Sequence, residues 1–135
     1  MTFCSVSRVP LQTSGLPLWV EPVSIPKAQR IARALQDCIS EIEIELMTPN
    51  LCEARAMAQV MGWSADLSLH PDNTLPAAAV DAISVSRYLH RRCPGVKCWV
   101  ITLGKHGALF SGQRQGDLST WETWIPPLAS GTIHP

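Results

Sequence analysis

Between Leu16 and Leu103 short apolar runs alternate with longer stretches whose apolar residues return every three or four positions, and that alternation restricts the fold more than any other feature of the chain. Leu16-Pro17-Leu18-Trp19-Val20-Glu21-Pro22 is a short apolar run stopped by proline, which suits a buried strand. Ser24 and Pro26 resemble a helix start. From Lys27 to Cys38 the residues Ala28, Ile31, Ala32, Leu35 and Cys38 make one helical face. Ile42-Glu43-Ile44-Glu45-Leu46-Met47 alternates as a second strand and runs into Thr48-Pro49-Asn50. Helical spacing resumes at Leu51, Ala54, Met57, Ala58 and Met61, with Gly62 where a C-terminal cap belongs. Residues 63–75 are expected to form a surface loop.

A longer helix is predicted from Pro76 to Arg92, with Ala79, Ile83, Ser86 and Leu89 inside and Arg91 and Arg92 complementing its dipole. Pro94-Gly95 ends it. Val96 to Leu103, rich in β-branched residues, is a third strand. Gly104 to Gly107 turns the chain into a fourth strand at Ala108-Leu109-Phe110, together a hairpin, with Gly112 to Gly116 as polar loop. Strand, helix, strand, helix, helix, strand implies an α/β layer fold with a mostly parallel sheet and a hairpin near the C-terminus. Trp19 and Trp99 are expected in the core, while Trp121 and Trp124 are expected to lie exposed as an unmatched apolar patch.

Composition narrows the function classes. At 135 residues the chain has room for one core and not for two. Hydrophobic residues make up 46% and charged residues 16%, too apolar for wholesale disorder. Eleven basic residues balance eleven acidic ones, which argues against duplex-DNA binding and predicts no nucleic-acid partner. No apolar run reaches the roughly 20 residues that span a bilayer, and the N-terminus shows no basic flank followed by an apolar segment, so neither membrane nor secretion is expected. The five cysteines are odd in number and irregular in spacing; neither a disulfide framework nor a zinc site is indicated, and reduced thiols in the cytoplasm are the expectation. His70, His90, His106 and His134 share no metal-ligand spacing and are expected at the surface. Ser111 and Thr102 have no neighbouring histidine in sequence, so acyl transfer is not expected.

Two stretches carry candidate chemistry. In Thr48-Pro49-Asn50-Leu51-Cys52-Glu53 a strand ends and a helix begins, where ligands collect in parallel α/β sheets. Asn50 can cap the helix and Glu53, three residues on, can close a capping box. The alternative is that Glu53 orients a hydrated magnesium ion and Asn50 contacts phosphate, since magnesium takes one or two carboxylates with waters and phosphate oxygens. In Val100-Ile101-Thr102-Leu103-Gly104-Lys105-His106-Gly107-Ala108 glycines let the backbone approach a ligand, and exposed amides can hold phosphate or a nucleobase edge. An ordinary hairpin turn is the alternative there, and no Walker A sequence is present.

Taken together, Asn50-Leu51-Cys52-Glu53 and Thr102-Leu103-Gly104-Lys105-His106-Gly107 resemble the NxxE and TxGxxG motifs of the ribokinase-like (PfkB) carbohydrate and nucleoside kinases. The resemblance runs from about Leu16 to about Leu128. Trp19-Val20-Glu21-Pro22-Val23-Ser24, Lys27-Ala28 and Thr48-Pro49-Asn50 look most like the pseudouridine kinases of that family.

The resemblance implies a partial three-layer α/β/α fold and transfer of the γ-phosphoryl of ATP, with Mg2+, to a sugar or nucleoside hydroxyl. It places Glu53 near the metal, Asn50 near the phosphates, and Thr102, Leu103, Gly104 and Gly107 along the nucleotide; Lys105 and His106 fall at variable positions. The family's GAGD motif, which supplies the general base, has no counterpart: Gly131 is followed by threonine.

The expectation is therefore a fragment or spliced product, inactive alone. It comprises a poorly ordered segment at residues 1–15, a nucleotide-side kinase portion at 16–128 and a divergent tail at 129–135. Two rivals are a non-catalytic α/β interaction module and a nucleotide-binding module without transfer activity. Sheet edges without their flanking strands predict self-association.

Overall fold

The computed structural model describes residues 17–37, 43–64, 75–114 and 119–127. Readings that concern residues 1–15 and 129–135, the bulk of the 63–75 loop, His70, His134, Cys4 and Cys38 lie outside these residues.

Among the described residues, five strands and three α-helices follow one another as β1 (Trp19–Val20), α1 (Ile25–Asp37), β2 (Ile44–Met47), α2 (Leu51–Val60), α3 (Ala77–Arg92), β3 (Val96–Thr102), β4 (Ala108–Gln113) and β5 (Thr120–Ile125). The strands form one sheet in sequence order, β1-β2-β3-β4-β5. β1, β2 and β3, joined through helices, pair in parallel; β4 and β5, joined by short connections, pair antiparallel. A helical crossover returns the chain to the same end of the sheet, whereas a tight turn reverses it. The chain is thus a mixed α/β protein.

The helices form where the apolar spacing predicts. Ser24 Oγ accepts from the Lys27 amide at 3.3 Å ahead of α1, whose buried face is Ala28, Ala32 and Leu35. Gly62, just past α2, takes φ +102°, the left-handed conformation of a helix stop. α1 packs on α2, α2 on α3, and α3 on β3, β4 and β5. Trp99, Met47, Met57, Leu89, Ile101 and Leu109 are fully buried between helices and sheet. Because Trp99 stands opposite Ser111 and Ile101 opposite Leu109, these four residues line the sheet face that α3 covers.

Several expectations are corrected. Trp63, assigned to the surface loop, is 8% exposed, its amide bonded to Ala58 O at 2.9 Å, and it belongs to the core. Trp19 is 70% exposed, because a two-residue edge strand gives its side chain no layer to enter. β4 runs on through Ser111 into Gly112-Gln113, the start of the expected polar loop, because β5 pairs along its length from Ala108↔Ile125 to Gln113↔Thr120. Trp121 and Trp124 are half-buried members of that strand. The indole of Trp121 lies so close over Gly112 that a Cβ there would come within 2.4 Å of the ring, so glycine is what permits the contact.

His90 is buried, only 3% exposed, on the face of α3 turned to the sheet. The spacing Ser86–Leu89–His90 carries its ring inward. No helix among the described residues is long and apolar enough to cross a membrane.

Candidate nucleotide site

The two sequence motifs meet at the carboxyl ends of β2 and β3. Asn50, past the end of β2, and Thr102, the last residue of β3, form an isolated parallel bridge, and the Thr102 amide donates to Pro49 O at 3.1 Å. Residues about fifty positions apart therefore share one edge of the fold, at the carboxyl ends of the parallel strands, the side on which open α/β sheets collect ligands.

Asn50 is the N-cap of α2, extended at φ −78° and ψ 174°. Its Oδ1 accepts from the Glu53 amide at 2.7 Å, and Glu53 Oε1 accepts from the Asn50 amide at 2.9 Å. Both halves of the capping box are present, and Glu53 is 6% exposed. The capping role anticipated for these residues is real. It also fixes the carboxylate at the positive end of α2, with one oxygen bound to the Asn50 amide.

Thr102 ends β3 with its surface exposed. Leu103 is 7% exposed; its side chain belongs to the core and its amide donates to Gly107 O at 2.8 Å. Gly104 to His106 form a single 3₁₀ turn closed by His106 N to Leu103 O at 3.1 Å and Gly107 N to Gly104 O at 3.2 Å. The amides of Gly104 and Lys105 make no such bond, and both residues are exposed. The two glycines differ in kind. Gly104 takes φ +58° with open space where a Cβ would stand. Gly107 takes φ +90°, and a Cβ there would fall 2.0 Å from the carbonyl oxygen of Ile125. Gly104 thus leaves room for a ligand, while Gly107 lets the turn sit on the end of β5.

Sequence reasoning missed what holds this turn. The Trp124 indole Nε1 donates to His106 O at 2.8 Å, tying the turn to β5. The alternating β-branched and aromatic residues of Thr120 to Ile125 were the available signal for that strand.

Ser111 has a histidine after all: His90 Nε2 lies 2.8 Å from Ser111 Oγ, across 21 residues and two elements. Burial pushes the His90 imidazole below its ordinary pKa, against smaller upward influences from the Ser111 hydrogen bond and the Glu122 carboxylate. Ser111 is fully buried, so the pair is a core contact with no path for an acyl substrate. Its other flank is the Arg87–Glu122 ion pair at 2.6 Å.

Burial pushes the Cys93 thiol up to about 12, with nearby Arg92 opposing, and raises that of Cys98, where Glu45 adds to burial; neither is a thiolate at neutral pH. Among the described residues no three His, Cys, Asp or Glu side chains gather to hold a metal ion. Glu53 belongs to no such group, and it suits magnesium only where phosphate oxygens and waters complete the shell.

No family model matches the chain. It is 33% identical over 100 residues, 71% of its length, to the pseudouridine kinase of Arabidopsis thaliana, and spans 24% of that protein. Two crystal structures of phosphofructokinase-2 from Escherichia coli are also similar. One is a point mutant, matched over 85% of this chain and 38% of that one at 17% identity and a TM-score of 0.43. The other, in complex with fructose-6-phosphate, is matched over 96% of this chain and 45% of that one at 16% identity and a TM-score of 0.41. Both proteins are kinases by name.

Proposed function

We propose that this chain is the nucleotide-facing portion of an ATP-dependent, ribokinase-like kinase acting on a sugar or nucleoside hydroxyl. The observation that carries the reading is the Asn50–Thr102 bridge, which brings NxxE and TxGxxG to one edge of the sheet. Within it, the amides of Gly104 and Lys105 receive phosphate or the nucleotide edge, and Asn50 contacts the phosphates. Glu53, with one oxygen engaged in the cap, orients Mg2+ through bound water rather than as a direct ligand. The metal supplies charge neutralisation at the transferring phosphoryl group. The likeness to a pseudouridine kinase supports pseudouridine or a related ribosyl compound as the acceptor. With no GAGD sequence among its residues, the chain alone holds nucleotide without transferring phosphate.

A second reading, a non-catalytic α/β interaction module, draws on the exposed apolar side chains Trp19 and Ile125, 70% and 45% exposed. Amide NMR of the purified chain with and without Mg-ATP distinguishes the two. Shifts confined to Asn50, Glu53 and residues 102–107 are expected. A dispersed spectrum indifferent to Mg-ATP would sink the nucleotide reading and leave the module.

A further inference from the structure

We propose that Trp124 is a positioning residue for the nucleotide-facing turn, holding residues 104–107 in the conformation that presents the Gly104 and Lys105 amides. The inference rests on the nucleotide reading above for its ligand and on geometry alone for the positioning.

A turn of this composition does not hold its own shape. Two of its four residues are glycines at φ +58° and +90°, conformations that glycine enters freely and leaves as freely. Its internal bonds are those of one 3₁₀ turn, whose hydrogen-bond geometry is poor, together with the Leu103 amide to Gly107 O at 2.8 Å, which closes the base of the turn but not its tip. The side-chain bond that fixes the turn to the rest of the fold is Trp124 Nε1 to His106 O, 2.8 Å.

The donor is well placed for that task. Trp124 sits opposite Leu109 in the β4–β5 register, and its half-buried ring packs against the core. A two-torsion aromatic side chain gripped by the core gives its N–H little freedom. Gly107 seats against the Ile125 carbonyl and Pro126 immediately beside it, so β5 holds the turn at two adjacent points. The His106 carbonyl belongs to the 106–107 peptide, so holding it anchors the C-terminal end of the short turn whose exposed start carries the Gly104 and Lys105 amides. Preorganisation of this kind appears as affinity, because the ordering cost is met before binding.

Trp124→Phe keeps the ring and removes the donor. Compared with the native chain, amide exchange at His106 and Gly107 should quicken by about tenfold, with Leu109 and Ser111 in β4 unchanged. Mg-ATP affinity should weaken by about three- to tenfold, the range that one lost neutral hydrogen bond commands. Turn amides that exchange at native rates, or β4 amides that quicken equally, overturn the proposal, the second because Trp124 then acts through general stability. If the native chain ignores Mg-ATP, the functional reading fails separately while the exchange comparison still decides the positioning. Should Trp124→Phe not fold, solvent exchange of the Trp124 indole N–H in the native chain decides. Exchange slowed well below that of a free indole supports the positioning, and exchange at the free-indole rate refutes it.

Discussion

Glu53 has two candidate duties, closing the capping box and orienting a metal, and substitution by glutamine separates them. Glutamine serves at the third position of a capping box as glutamate does, so its carbonyl oxygen can still accept from the Asn50 amide, now 2.9 Å from Oε1. What is lost is charge. A carboxylate in the first turn contributes about 0.3–1 kcal/mol through the helix dipole. Exchanging a charged acceptor for a neutral one costs about 1 kcal/mol more. Against this, a side chain 6% exposed no longer buries a carboxylate, which returns a comparable amount.

The net stability change for Glu53→Gln should therefore stay within about 1 kcal/mol, seen as a shift of about 2–5 °C in Tm. Glu53→Ala removes the acceptor and strands the Asn50 amide, at about 2 kcal/mol. Magnesium binding orders the pair differently. Neither glutamine nor alanine can attract a hydrated dication, so both should lose Mg-ATP affinity alike, by about tenfold or about 1.4 kcal/mol. Affinity for ATP without magnesium should scarcely change. Titration calorimetry with and without Mg2+, beside urea unfolding, measures these changes for both variants. If Glu53→Gln binds Mg-ATP as the native chain does, the glutamate is a cap and nothing more. If affinity tracks stability across both variants, the loss is a folding effect and the metal role is equally refuted.

Gly107→Ala should cost about 3 kcal/mol or more, since a Cβ 2.0 Å from Ile125 O must drive β5 and the turn apart. Gly104→Ala meets only the left-handed penalty of about 1 kcal/mol; chemical unfolding of both variants checks the contrast. Because burial holds the His90 pKa in the fold below its unfolded value near 6.5, its contribution is fully present above that value. It is lost as pH falls through 6.5 toward the folded pKa, with Glu122 and Arg87 the charged groups beside it. Tm measured from pH 7.5 to 5 should fall, and His90→Phe should flatten the decline; a native curve flat across that range refutes the reasoning. Val23, 68% exposed, stands at φ +64° in a tight turn where Pro22 O accepts from the Ser24 amide. Val23→Gly should stabilise the chain by about 0.5–1 kcal/mol on thermal unfolding.

The elements legible in the sequence are those whose partners are themselves. α1 and α2 were readable because Ala28, Ala32 and Leu35, or Ala54, Met57 and Ala58, fall on one face whatever covers it, and because Asn50, Glu53 and Gly62 act on backbone a few residues away. Both motifs were equally local, so their residues could be named. Their meeting could not be read from either, because the Asn50–Thr102 bridge depends on how far the α2–α3 crossover carries the chain.

What escaped was non-local throughout. Trp19 has the composition of a core residue, but exposure is decided by whether another layer reaches an edge strand. His90 is polar and was assigned to solvent; it is buried because Ser111, 21 residues on, stands ready to bond it. β5 hid because its apolar residues, Trp121 and Trp124, are matched by Gly112 and the His106 carbonyl on other elements. The same rule explains why the site divides as it does. The groups proposed to touch nucleotide lie in short local motifs, whereas those that hold the turn come from a strand that no local pattern connects to it. A search for function in such a chain by motif alone finds the donors and acceptors and passes over the residue that aims them.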